Sequence, residues 1–328
     1  MPPQLQMHLR KIFINEAGRL RSGWRLLTFV GLFIVILFLL STVVRVALAI
    51  LFNVAPHVTP SETIQDLVFR FIYLVAALLA GYLCGRWLEG LPFRALGASL
   101  HQHWFRHFAI GSFIGMAALT LAVAIATAGH GLSFKILAST SGAAVLRTLL
   151  VSALVFVVAA FAEEAMFRGY PLQTLTRAHL AWLGILINFV FFAAAHLNNP
   201  NWVLLGAFNT GLAGVWFAIS YLRSRSLWFP TGIHWAWNWT LGSLFGLPVS
   251  GITSFAKYPL LKGYDLGPSW LTGGSYGIEG GIAGTIALAV ATLLVWRVRL
   301  VSPTEEMLRL TSNENPVREE RLSILPQD

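Results

Sequence analysis

Apolar residues in this chain come in long blocks, not on one stripe of a surface helix and not in strand-like alternation. Eight blocks stand out, at about residues 26–52, 67–88, 108–128, 146–167, 181–197, 202–222, 227–247 and 281–296, and the fourth can run on past Pro171. A spanning helix needs about 20 apolar residues, and each block is near that length. Lipid offers no water to an unpaired backbone amide, so apolar blocks of this kind must close their hydrogen bonds as helices. The pattern predicts an all-α fold, a polytopic membrane helix bundle with about eight transmembrane helices. No repeat at a solenoid period is visible. Three parts are expected: a basic interfacial N-terminal segment (1–25), a membrane-embedded body (26–300) and a polar C-terminal tail (301–328). The first block is too long for a signal h-region and no small-residue cleavage site follows it, so it is expected to stay as the first span.

Composition agrees. Of 328 residues, 56% are hydrophobic and 11% charged, whereas a soluble domain carries roughly a quarter charged residues. The net charge of +9 does not point to nucleic acid, because the basic residues are spread between the blocks. With the N-terminus inside, 17 of the 23 Lys and Arg residues fall on one side and 4 on the other, with Arg45 and Arg70 inside blocks. That bias predicts a multi-pass protein of the plasma (inner) membrane with both termini cytoplasmic. The single cysteine, Cys84, excludes an internal disulfide and any cysteine-based zinc site. Residues 91–107 mix Trp, Phe, His and Arg, and are read as lying in the membrane interface. His101, His103 and His107 could hold a metal, but an interfacial aromatic face is the reading adopted.

Polar side chains where apolar ones belong are few. Phe161 to Pro171 reads FAEEAMFRGYP, and of the 14 acids only Glu163 and Glu164 fall well inside a block. Ionisable groups at membrane depth pair with each other or face a cavity. Adjacent helical residues point about 100° apart, so the two acids cannot share one role. Glu164 and Arg168 are spaced i, i+4 with the acid first, the favoured order for an ion pair. Glu163 is left as the candidate reactive carboxylate. His196 ends FFAAAH, with Phe192 on its face, and His234 and Asn238 share a helix face in HWAWN.

These residues leave two chemistries open. Glu163 can take a proton from water directly, with the imidazoles helping. Alternatively His196 and His234 hold a Zn²⁺ whose bound water Glu163 deprotonates. Asn238, or a histidine carrying a proton, can donate to a developing oxyanion. Both chemistries suit amide hydrolysis, and the expected partners are a peptide or protein substrate associated with the membrane and the bilayer itself, with no nucleic acid. Each residue has a duller reading: an interhelical hydrogen bond for a histidine or Asn238, a packing ion pair for Glu164 and Arg168. A non-catalytic immunity or scaffold protein of the same fold is the alternative, and a transporter is disfavoured because internal repeats and broken paired helices are missing.

EEAMFR (163–168), FAAAH (192–196) and HWAWN (234–238) together resemble, in order and spacing, the motifs EExxxR, FxxxH and HxxxN of the CAAX-protease and bacteriocin-processing (CPBP, or Abi) family of intramembrane peptidases. The resemblance covers a core at about 145–245. It implies an eight-helix fold and an endopeptidase site inside the membrane, with Glu163 activating water, His196 assisting, and His234 and Asn238 stabilising the oxyanion. In a metal variant His234 is a ligand. Glu164, Arg168 and Phe192 are implied as supporting residues. GGSYGIEGG (273–281) is similar to a segment near the end of many bacterial members, although on its own it reads as the start of the eighth span with Glu279 near a helix N-terminus. Strict alternation of spans puts His196 near one membrane face and His234 near the other. They can meet only if the fourth and fifth helices are long, tilted or protruding.

Overall fold

The computed structural model describes residues 12–54, 62–136 and 140–313. The first eleven residues of the basic N-terminal segment and the tail beyond residue 313 lie outside the described residues. The apolar blocks form α1 (Ser22–Val54), α2 (Glu62–Cys84), α3 (Trp104–Ala128), α4 (Gly142–Glu164), α5 (Tyr170–Arg177), α6 (Ala181–Ala195), α7 (Leu204–Ser224), α8 (Trp228–Trp239) and α9 (Ile282–Arg297), and the tail adds α10 (Glu305–Ser312). Short π-helical turns extend α2 (Gly85–Glu89), join α4 to α5 (Ala165–Gly169) and extend α8 (Thr240–Leu244). The protein is an all-α membrane helix bundle.

Among the described residues, five stretches are long and apolar enough to cross a bilayer: Ser22–Leu51, Thr63–Glu89, Trp104–Ala128, Gly142–Arg177 and Leu204–Ser224. The fifth, seventh and eighth blocks form shorter helices than a full span. α6 has 15 residues, α8 12 and α9 16. α8 can be short because it is inside the bundle, with Phe229, Ile233 and Ala236 fully buried. Lipid-facing residues such as Ile34, Phe38 and Val43 on α1 are instead more than half exposed.

The loops sort to two ends as alternate crossing requires. At one end Glu89 pairs with Arg25 (2.7 Å) and Arg177 (2.8 Å), and the Gly97 carbonyl accepts from the Leu227 amide. At the other end β1 (Leu132–Lys135) pairs antiparallel with β2 (Lys262–Asp265), Leu132 opposite Asp265. There too Asn199 donates to the Ser250 carbonyl. Exposed tryptophans mark both ends, Trp24, Trp87, Trp182 and Trp296 at the first, Trp202 and Trp270 at the second. Such rings sit at the headgroup level of a membrane.

Two readings change here. Arg25 does not lie on a surface but is fully buried at the start of α1. Glu89, expected in a loop, is buried with it, because α2 runs on through a π-turn and carries the acid into the bundle.

The fold brings the motif segments together by close backbone approach. A Cβ on Gly111 or Gly115 of α3 would lie 2.3 Å from the Phe229 carbonyl oxygen or 2.2 Å from that of Ile233 on α8. On the facing side, a Cβ on Gly232 would lie 2.2 Å from the Phe108 carbonyl oxygen. Small residues spaced by four let membrane helices touch backbone to backbone, and this contact fixes the depth and rotation of His234, next to Ile233. One apolar core lies around α3, α7, α8 and α9 (Leu119, Trp216, Ile233, Leu288). A second lies around α1, α2 and α5 (Phe29, Ala77, Leu172). α4 contributes Phe156 to the first and Ala162 to the second, so its acidic end stands at their junction.

The length of the fourth helix resolves the mismatch in depth. Gly142–Arg177 is a 36-residue helical stretch, ~54 Å at 1.5 Å per residue against a ~30 Å hydrocarbon core. It is longer than one crossing needs, which is the condition under which His196, after the 15 residues of α6, and His234 can share a site.

Candidate active site

α4 ends on Glu163 and Glu164, where the helix widens into the π-turn Ala165–Gly169. π-turns inside helices recur at functional sites because they re-aim side chains. The two acids diverge as expected. Glu164 is fully buried, while the Glu163 side chain keeps 26% of its exposure. Oε1 of Glu164 accepts from Arg168 Nη1 (3.1 Å), the anticipated i, i+4 pair, and from His234 Nδ1 (2.9 Å), which spacing alone did not reveal. Its Oε2 has no hydrogen-bond partner among the described residues.

Arg168 is held by a carboxylate, a backbone carbonyl and three aromatic rings, while its buried Nε has no hydrogen-bond partner among the described residues. Nη2 donates to the Gly214 carbonyl on α7 (3.2 Å), and the guanidinium carbon lies 4.5, 5.0 and 5.5 Å from the ring centres of Phe192, Phe217 and Phe167. Cation–π attraction strengthens where water is excluded, so the cage keeps a buried charge in place. Phe192 also reaches the imidazoles, 4.9 Å from His196 and 6.0 Å from His234 between ring centres.

His234 stacks on Phe217 at 4.6 Å. With Nδ1 engaged by Glu164, Nε2 is the nitrogen left for chemistry, and it lies 3.8 Å from Oε2 of Glu163. His196 follows the last residue of α6, its Nδ1 2.8 Å from the Phe192 carbonyl oxygen. A carbonyl only accepts, so Nδ1 carries the proton and neutral His196 keeps a bare Nε2. Asn238 lies one turn beyond His234 on α8, just before the Thr240–Leu244 π-turn.

Two spaces meet at these residues. A chamber of about 30 Å³ is bounded by His196, His234 and Asn238, with Phe192, Ser250 and Glu279. That is the volume of roughly one water. A cavity of about 310 Å³ is lined by Glu163, His196, Asn238 and Ser250. Its other wall is α2, where Asp66, Phe69, Arg70 and Tyr73 come round at helical spacing. The seven residues singled out from sequence thus gather at one place.

Sequence reasoning missed the floor of the site. Glu279 does more than open the last span. Its Oε1 accepts from the Trp237 indole (2.8 Å), and its Oε2 from the Ser250 amide (2.6 Å) and hydroxyl (2.9 Å). Asn199 holds the Ser250 carbonyl from the other side (3.1 Å). The available signal was a lone acid in a run of glycines, one of which, Gly277, has φ of +94°.

Among the described residues no group of three or more His, Cys, Asp or Glu side chains is placed to hold a metal ion. Each site imidazole has an anchored Nδ1, and the acid nearest their free nitrogens is Glu163, whose Oε2 lies 3.8 Å from His234 Nε2. His101, His103 and His107 are likewise not grouped to hold a metal. His101 bonds Ser226 through Nε2 (2.9 Å) and lies 5.1 Å from His107 between ring centres. Burial and the neighbouring His103 push the His101 pKa down.

Residues 145–240 match the family model described as type II CAAX prenyl endopeptidase Rce1-like. An uncharacterized 24.3 kDa protein of Escherichia coli is 30% identical over 163 residues, 49% of this chain and 71% of that protein. The matched segment runs from α4 through α8 and carries each of the motif residues just described. The chain is a member of the Rce1-like family of CAAX-type membrane endopeptidases.

Proposed function

We propose that this protein is an intramembrane endopeptidase that cleaves a peptide bond in a membrane-associated peptide or protein, acting from the plasma membrane with both termini in the cytoplasm. One observation carries the reading: Nε2 of His234 lies 3.8 Å from Glu163 while Glu164 grips its Nδ1 at 2.9 Å, beside a water-sized chamber that His196 and Asn238 also line.

In this reading the substrate backbone lies in the 310 Å³ cavity and one water sits between Glu163 and the imidazoles. Glu163 takes a proton from that water as its oxygen bonds to the scissile carbonyl carbon. His196, with Nε2 bare, accepts the second hydrogen bond and so aims the water. The carbonyl oxygen becomes an oxyanion and receives a hydrogen bond from the Asn238 amide. His234 in its protonated form adds a second, with Glu164 as its counter-charge. Collapse breaks the C–N bond, and the proton held by Glu163 passes to the departing amine. Glu164, Arg168 and Phe192 touch no substrate and serve as positioning residues. No step uses a metal.

The test is cleavage of a membrane-anchored reporter peptide by the purified full-length protein, with and without chelator. Wild-type activity is expected to survive chelation, and Glu163→Ala to abolish cleavage while the protein stays folded. Full activity in Glu163→Ala overturns the reading. Loss on chelation with rescue by added zinc replaces the direct route by a metal-assisted one.

A further inference from the structure

A second cavity, of about 460 Å³, adjoins the 310 Å³ cavity beside Glu163. The two share a wall of Val249, Ile252 and Phe255. The cavity beside Glu163 in turn shares His196, Asn238 and Ser250 with the water-sized chamber. Three spaces therefore follow one another from the imidazoles to the β1–β2 end. Past the shared wall, the second cavity is lined by Leu132 and Asp265 of the paired strands, by Thr253 and Ala256, and by Thr272 and Ser275. Its size falls in the range of ~300–1,000 Å³ typical of pockets that take a ligand.

The shared wall is fixed in place. Val249 and Ile252 exchange backbone hydrogen bonds of 2.9 Å, and the Gly251 amide donates to the Tyr276 carbonyl (2.8 Å). Arg70 of α2, paired with Asp66 at 2.7 Å, lies 5.3 Å from the ring centre of Phe255. Just past the wall the chain offers main chain instead. Among the described residues, the amides of residues 253–258 take no partner in a neighbouring strand or helix. An extended peptide can draw its main-chain hydrogen bonds from an open edge of this kind. In the opposite direction the way from the site is closed, because all eight residues of α5 are buried.

Only 4 of the 23 Lys and Arg residues belong to the β1–β2 end, so with both termini cytoplasmic that end faces outward. We propose that the second cavity seats an extended segment of the substrate next to its scissile bond, and that the substrate is a membrane-anchored peptide cleaved from the extracytoplasmic face. Such a site deepens the peptidase reading and rests on it.

The test uses the full chain with Cys84→Ser and a new thiol at one of two exposed positions, Thr253→Cys in the second cavity or Ser302→Cys at the opposite end. If Cys84→Ser does not fold, the buried native Cys84 is kept and labelling of the parent chain is subtracted. In right-side-out vesicles a membrane-impermeant maleimide should label Thr253→Cys, and should label Ser302→Cys only after the membrane is opened. In the purified protein, a bulky maleimide on Thr253→Cys should raise KM about tenfold with kcat nearly constant, the pattern of lost uniform binding. The substrate is a membrane-anchored reporter peptide extended on both sides of the cleaved bond. The same label on Ser302→Cys should change neither constant. The reverse labelling pattern overturns the extracytoplasmic assignment, and a KM that ignores the label at 253 overturns the docking site. Both results leave the peptidase reading standing. Absence of cleavage by the unlabelled wild-type protein removes that reading, and the docking site with it, whatever the labelling pattern.

Discussion

Two buried ionic clusters are built on the same long helical stretch, and they are finished differently. At the Arg177 end, Glu89 gives Oε1 to Arg25 (2.7 Å) and to Arg177 Nε (3.0 Å), and Oε2 to Arg177 Nη2 (2.8 Å). Both carboxylate oxygens are used, and the Arg25, Glu89 and Arg177 side chains are fully buried. Fourteen residues earlier, Glu163 and Glu164 face one arginine, and an oxygen of each carboxylate has no partner among the described residues. The first cluster satisfies both oxygens of its carboxylate, and it ties α1, α2 and α5 together. The second has a spare carboxylate beside a space that admits water. A satisfied buried network fixes structure, whereas an unsatisfied polar group in a native protein calls for another explanation. On the proposed reading, the open oxygen of Glu163 is the one that meets the water.

The contrast predicts opposite phenotypes. Glu163→Gln keeps the shape and removes the proton acceptor, so cleavage should fall by about 10²–10⁴-fold, the usual worth of a general base, with Tm barely moved. A large fall in Tm would mean that Glu163 is structural after all. Glu89→Gln should do the reverse. Removing one charge from a buried pair leaves the others uncompensated, at about 3–5 kcal/mol. Reversible unfolding in a detergent series should show that loss, while the fraction that stays folded cleaves at close to the wild-type rate. Equal losses of stability in both variants would erase the distinction between the clusters.

Much of the site was legible because lipid makes polar residues conspicuous. Against apolar blocks, Glu163, Glu164, His196, His234 and Asn238 stand out without any structure, and i, i+4 spacing paired Glu164 with Arg168 correctly. The contact of Glu164 with His234 was not legible, since it joins residues 70 positions apart and depends on where α8 sits against α3. Gly111, Gly115 and Gly232 set that position, but glycines in apolar helices are common and signal little by themselves. Helix lengths were blurred for a related reason. Hydropathy shows that a block is apolar, not whether lipid or protein surrounds it, so buried α8 read as a full span. Glu89 was misplaced because a π-turn carried α2 past the end of its apolar run.

The smallest effect concerns Glu279 and Ser250, which the sequence pattern left in a loop. Glu279 accepts three hydrogen bonds, and the Ser250 hydroxyl supplies one of them at 2.9 Å. In Ser250→Ala the Ser250 amide still serves the same carboxylate oxygen, so the charge is not orphaned. The loss should be about 1 kcal/mol, that of one net hydrogen bond, or about fivefold if it is felt in the transition state. Ser250 lines both the chamber and the larger cavity, but its hydroxyl is turned to Glu279, so its loss should disturb the proposed oxyanion donor, Asn238, before it disturbs binding. kcat should therefore fall with KM nearly constant, the pattern of an interaction made in the transition state. Were Tm to drop with kcat and KM untouched, the glycine-rich loop would belong with Glu89 as a structural tie, and the active site would end at Asn238.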